Sequence, residues 1–143
     1  MTIRIEHANL HVRYFDDAVR FLKTAFPDFY VRSESVQDGL RSMHIGTDET
    51  YIALNETNIE RGPGLEPYDG RPGVNHLGYE VDDVDALRDR LAAAGFRDST
   101  YPNSHPHRKR VYFYDADGND WEFVQYFSDK ATDRNDYELP DES

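Results

Sequence analysis

The chain of 143 residues contains no cysteine, which removes disulfides, thiolate metal sites and a cysteine nucleophile from consideration. Any metal must be held by nitrogen and oxygen. Positive charge is also scarce: 16 lysines and arginines stand against 28 aspartates and glutamates, giving a net charge of −12 and a pI of about 4.8. That balance argues against nucleic acid or an anionic membrane surface as partner. No apolar run approaches the roughly 18 residues of a membrane span, and Met1-Thr2-Ile3-Arg4-Ile5-Glu6 lacks the apolar core of a signal peptide. A soluble cytoplasmic protein is expected. The length admits one domain with a real core and is short for two of ordinary size.

What is present is a pattern that occurs twice. Residues 3–12 alternate as a strand, with His7, Asn9 and His11 on one side and Ala8, Leu10 and Val12 on the other. Asp16 and Asp17 then open a helix whose apolar stripe is Ala18, Val19, Phe21, Leu22, Ala25 and Phe26, ended by Pro27. Phe29–Ser35, Leu40–Ile45 and Thr50–Asn55 read as three short strands separated by turns at Gln37-Asp38-Gly39 and Gly46-Thr47-Asp48. After a Gly- and Pro-rich stretch the order restarts: a strand at Val74–Val81, a helix capped by Asp82 and Asp83 with stripe Val84, Leu87, Leu91 and Ala94, a stop at Gly95, and three further strands. An offset of 69 residues carries His7 onto His76, Asp16 onto Asp85, Leu22 onto Leu91 and Ala53 onto Glu122 without a gap. The expectation is an α+β fold of two βαβββ repeats forming a curved mixed sheet around a central cleft. Repeat one runs from about 3 to 56, a linker from 57 to 73, repeat two from 74 to 127 and an acidic tail from 128 to 143.

The last hairpin carries the chemistry. A strand from Arg110 to Tyr114, a turn at Asp115-Ala116-Asp117-Gly118 and a return strand through Trp121 place Trp121 and Phe123 on one face. Glu122, Val124 and Tyr126 take the other. A carboxylate in the middle of an aromatic-rich strand has to be solvated, paired or bound to a metal, because burying it alone is too costly.

Three stretches carry a resemblance: Ile5-Glu6-His7-Ala8-Asn9-Leu10-His11-Val12, Val74-Asn75-His76-Leu77-Gly78-Tyr79, and Tyr112 through Glu122. In this order, on a doubled βαβββ pattern, the chain resembles the vicinal oxygen chelate superfamily of glyoxalase I, bleomycin resistance proteins, fosfomycin resistance transferases and extradiol dioxygenases. The resemblance implies a metal held by His7, His76 and Glu122, with Ala53 in the fourth ligand place and iron, manganese, zinc or nickel as the divalent ion. It also implies a small-molecule substrate, a homodimer, and an enzyme that is a dioxygenase, lyase or thiol transferase. Ala53 counts against glyoxalase I, which uses a carboxylate there. The leading expectation is dioxygenase-like chemistry on a metal-chelated, oxygen-rich substrate, with His105 and Tyr112 as its catalytic acid/base and orienting groups. Asn9, His11 and Tyr126 are expected to line the substrate cleft. The alternatives are a fosfomycin-type thiol transferase, whose phosphonate-holding lysine and serine are not recognisable here, and a metal-free drug-binding protein of the bleomycin-resistance kind.

Other residues receive plainer expectations. His44 aligns with Phe113 under the offset, which suggests packing. His105 and His107, in a Pro-rich loop, read as solvated if they are not catalytic. Arg108-Lys109-Arg110 reads as a solvated basic edge. The tail is expected to be solvated, with Tyr137 and Leu139 able to fold back over an opening.

Overall fold

The computed structural model of the chain describes residues 2–62 and 66–138, and the chain divides after Gly62 into two compact units. Each is α+β. The first contains β1 (His7–Val12), α1 (Phe15–Ala25), β2 (Tyr30–Gln37), β3 (Leu40–Gly46) and β4 (Tyr51–Glu56), with the strands ordered β1-β4-β3-β2. The second repeats the plan as β5 (His76–Glu80), α2 (Val84–Ala93), β6 (Arg97–Asp98), β7 (Arg108–Tyr114) and β8 (Asp120–Tyr126), ordered β5-β8-β7-β6. In each sheet the first strand pairs parallel with the last, and the remaining pairs are antiparallel.

The repeat is written into the pairing. His7 stands opposite Tyr51 and Asn9 opposite Ala53, while 69 residues later His76 stands opposite Asp120 and Gly78 opposite Glu122. The offset fails on the third strands. His44 pairs with Ala53 and Tyr112 with Glu122, so His44 is the counterpart of Tyr112 and not of Phe113. The cause is the turn: residues 47–50 separate Gly46 from its partner Tyr51, whereas 115–119, one residue more, separate Tyr114 from Asp120. Instead of packing, His44 is exposed, and its ring stacks on Tyr51 at 4.6 Å.

One face of each sheet is closed by its helix. Val84, Leu87 and Leu91 of α2 are buried with Val111, Phe113, Trp121 and Phe123, and Phe21, Leu22 and Ala25 of α1 with Ile45, Ile52 and Leu54. Complete burial of such side chains contributes roughly 1.5–3 kcal/mol each. Asp83 caps α2 by accepting from the Ala86 backbone N–H at 3.0 Å. Asp38 and Gly39, at φ of 53° and 77°, make the two-residue turn that joins β2 to β3, a geometry in which Asp-Gly is favoured because both positions need positive φ.

The N-terminal strand is shorter than expected. It starts at His7 because β4 starts at Tyr51, so Ile3 and Ile5 have no strand opposite them and lie 86% and 80% exposed. The tail also departs from expectation. Residues Ala131–Arg134 form a one-turn helix, α3, from which Arg134 reaches Glu80 at 2.8 Å and covers the Tyr126 ring. Arg108 is buried rather than solvated; it donates to the Asp136 carbonyl at 2.8 Å and lies over the Tyr137 ring. Leu139 lies outside the described residues. No helix among the described residues is long and apolar enough to cross a membrane.

Asp115 organises the β7–β8 turn. Its carboxylate accepts from the backbone N–H groups of Asp117 and Asn119, from Asn119 Nδ2 and from the buried Trp121 Nε1. Burial pushes its pKa up, against the pull of those bonds. Asp115→Ala strands the Trp121 N–H, so denaturant unfolding is expected to show a loss of about 1–3 kcal/mol. A variant as stable as the parent would show that these bonds do not hold the turn.

Candidate functional site

The open face of the second sheet gathers the polar groups. Strand alternation brings His76, Asp120, Glu122 and Tyr112 to the side opposite α2. His76 Nε2 lies 2.8 Å from Glu122 Oε2. The Tyr112 ring meets the His76 imidazole edge-on at 5.6 Å, and its hydroxyl is 3.3 Å from that of Tyr101. The neighbour of Glu122 across the pair is Gly78, where a methyl group would meet Oε2 at 3.6 Å, an ordinary contact.

Behind His76 lies a second set of contacts. Tyr68 Oη is 2.8 Å from His76 Nδ1 and 2.6 Å from Asp120 Oδ2, and Ser99 Oγ donates to Asp120 Oδ1 at 2.8 Å. Asp120 is buried. Neither Tyr68 nor Asp120 was singled out in the sequence. Asp120 was accessible to reasoning, since it lies two residues before Glu122 on the same face. Tyr68 was not, because it belongs to the Gly- and Pro-rich stretch that composition marks only as a linker.

His7 occupies the equivalent place in the first unit. Its Nδ1 is 2.9 Å from Glu6 Oε1, and its ring stacks on Tyr51 at 4.7 Å and 12°. Both histidines thus have Nδ1 engaged by an oxygen. Asn9 and His11 share that face, with Asn9 Oδ1 accepting from Asn55 Nδ2 at 2.6 Å. Ala53, at the position expected for a fourth ligand, is buried.

The other expected residues lie elsewhere. His105 is 6% exposed rather than solvated, and bridges to Arg108, which pairs with Tyr126. Tyr126 is four residues beyond Glu122, or about 13 Å along the strand. The structure therefore brings Tyr112 to the His76–Glu122 pair and leaves His105 and Tyr126 at the far end of the same hairpin. His107 lies with the tail, 3.6 Å from Asp133. Among the described residues no three histidine, aspartate or glutamate side chains gather closely enough to hold a metal.

These features can be set beside known proteins. The family model of the Glyoxalase/Bleomycin resistance protein/Dioxygenase superfamily matches residues 4–123. The chain belongs to this superfamily. No curated protein matches it by sequence. Among solved structures, a glyoxylase/bleomycin resistance protein/dioxygenase domain from Frankia sp. EAN1pec is 26% identical with a TM-score of 0.66, over 88% of this chain and 99% of that one. A glyoxalase family protein from Bacillus cereus has a TM-score of 0.72 at 13% identity, over 90% and 97%. The fosfomycin resistance protein FosX from Listeria monocytogenes, in complex with Mn(II) and sulfate, has a TM-score of 0.66 at 18% identity, over 95% and 100%. The last two likenesses extend to the fold alone.

Burial, followed by the bond to Asp120, raises the Tyr68 pKa above its ordinary value of 10, and burial, followed by Tyr101 and the Glu122 charge, does the same for Tyr112. A phenol whose pKa is raised on folding contributes stability that is whole below pH 10 and is lost as pH climbs toward the raised value. Alkaline absorbance titration is expected to show late-ionising phenols, of which Tyr68→Phe and Tyr112→Phe each remove one. Titration of all ten tyrosines together near pH 10 would contradict the raised pKa of both.

Proposed function

We propose that the chain is a metal-dependent enzyme acting on a small, oxygen-rich molecule, with His76 and Glu122 as ligands of a divalent ion. The observation that carries this reading is the 2.8 Å separation of His76 Nε2 and Glu122 Oε2. Bonds of about 2.1 Å set at right angles to one ion give a ligand–ligand edge of about 3.0 Å, so the pair is already spaced as adjacent ligands. The donor types agree: an imidazole and a carboxylate leave coordination positions open, as a catalytic site requires. Iron, manganese, zinc and nickel all accept it. When bound, the ion supplies Lewis-acid polarisation of neighbouring substrate oxygens.

The chain's own groups have separable tasks. Tyr112, kept as a neutral phenol by its burial, can donate a hydrogen bond to a substrate oxygen beside Glu122. Tyr101, about half exposed, holds the Tyr112 hydroxyl from the solvent side. A ring-cleaving dioxygenase also needs a histidine acid/base at the ion, the part given to His105 by resemblance. Its backbone bridges to Arg108, four residues from Tyr112 along β7, and that placement weighs against the subclass. Addition of a nucleophile to a small epoxide of the fosfomycin type becomes the better-supported chemistry. FosX from Listeria monocytogenes, with Mn(II) and 1S,2S-dihydroxypropylphosphonic acid in one structure, supports it through a shared fold at 20% identity. A cytoplasmic homodimer completes the proposal.

Elemental analysis of protein purified without chelators or a nickel column tests the metal. About one divalent ion per chain is expected, and Glu122→Gln and His76→Ala should each weaken its binding by more than the roughly 10–100-fold typical of changes behind a ligand. Protein without a divalent ion, whose ligand binding is untouched by His76→Ala, would instead be a metal-free binding protein. For the reaction, loss of fosfomycin in the presence of a thiol or water is expected. Oxygen uptake with catechols would return the dioxygenase to first place.

A further inference from the structure

We propose that residues 128–138 form the end wall of this site, with Arg134 as the specificity-determining residue that limits how far a bound molecule extends beyond Glu122. The limit on bound molecules rests on the function proposed above; the position of the wall does not.

The open face of the second sheet is laid out in rows. Strand register puts Gly78, Glu122 and Tyr112 in one row, Glu80, Val124 and Arg110 in the next, and Tyr126 with Arg108 in the one after. A molecule held at Glu122 and running along the strands therefore crosses Val124 and reaches Tyr126 after about 13 Å. That is where the tail sits. Arg134 donates to Glu80 and to the Ser128 carbonyl, each at 2.8 Å, and its guanidinium lies 4.5 Å from the centre of the Tyr126 ring. Glu80 is directly opposite Val124, and Tyr126 is two residues beyond it on the same face. Arg134 thus stands at the far margin of the Val124 row, tied to the strands on both sides.

The segment holds this place through tertiary contacts. A single turn such as Ala131–Arg134 has little stability of its own. Arg108 anchors it from β7: the side chain is buried, donates to the Asp136 carbonyl at 2.8 Å and lies 4.5 Å from the centre of the Tyr137 ring. A guanidinium taken out of water needs such partners, so the tail and the hairpin stabilise each other. Within the segment, Ser128 Oγ donates to Asp133 Oδ2 at 2.6 Å, and the other oxygen of Asp133 faces His107 at 3.6 Å. The wall therefore rests on β5 through Glu80, on β8 through Tyr126 and on β7 through Arg108. It lies beyond residues 4–123, the region matched by the family model, so nothing in that match prescribes it.

The chain has no cysteine, so Val124→Cys places a single thiol beside the wall in the full chain. Its reaction rates with methyl and benzyl methanethiosulfonate, followed by intact mass, need neither metal nor ligand. The benzyl-to-methyl rate ratio is expected to be severalfold lower than for free cysteine, and to recover when Arg134→Ala is added. Tyr137→Ala, which loosens the same segment from Arg108, is a second variant with the same expected direction. A ratio equal to that of free cysteine in Val124→Cys, or one unchanged by both tail variants, overturns the wall. Calorimetry on Mn(II)-loaded protein then reads the limit: decylphosphonate should bind severalfold more tightly to Arg134→Ala than to the parent, with propylphosphonate bound alike by both. Equal chain-length preference in the two proteins overturns the limit. If neither phosphonate binds while the thiol ratio recovers, the proposed function fails and the wall stands.

Discussion

The site depends on the parallel pairing of β5 with β8 in one register. His76 opposite Asp120 and Gly78 opposite Glu122 put an imidazole and two carboxylates on one side of two adjacent strands. A slip by one residue would exchange every side chain between faces: Trp121 and Phe123 would leave the helix side and Glu122 would enter it. The hydrophobic demand of α2 therefore fixes the polar geometry of the opposite face.

That constraint also explains why the polar face takes this form. Glu122 is mostly shielded, with a side chain 17% exposed, and a shielded carboxylate is tolerated only with partners. His76 supplies one at 2.8 Å, and Tyr68, Asp120 and Ser99 hold His76 from behind. The first unit uses the same strands for a different surface: His7 and His44 flank Tyr51, with Arg32 over the same ring at 4.3 Å. One duplicated frame thus carries an acidic pair in one half and an imidazole-rich stack in the other.

Much of this was legible from the residues. Alternation placed Glu122 opposite the Trp121–Phe123 face, and the 69-residue offset matched the pairing of the outer two strands of each repeat. The offset failed at His44 because turn length is set by local backbone geometry, and one extra residue in 115–119 shifts the third strand by one. Ile3 and Ile5 looked like strand because alternation is a local property, whereas a strand needs a partner opposite it. Arg108 looked solvated because a basic run in isolation gives no hint of a carbonyl and an aromatic ring 28 and 29 residues later. Tyr68 could not be found from periodicity at all: its contribution comes from a φ of 65° in a stretch without repeating structure.

The central claim is that His76 and Glu122 are spaced to share an ion. Anomalous diffraction from crystals grown with Mn(II) tests it most directly. An anomalous peak is expected about 2.0–2.2 Å from both His76 Nε2 and a Glu122 carboxylate oxygen. Full Mn(II) occupancy elsewhere, with the imidazole and carboxylate still in direct hydrogen bond, would contradict it.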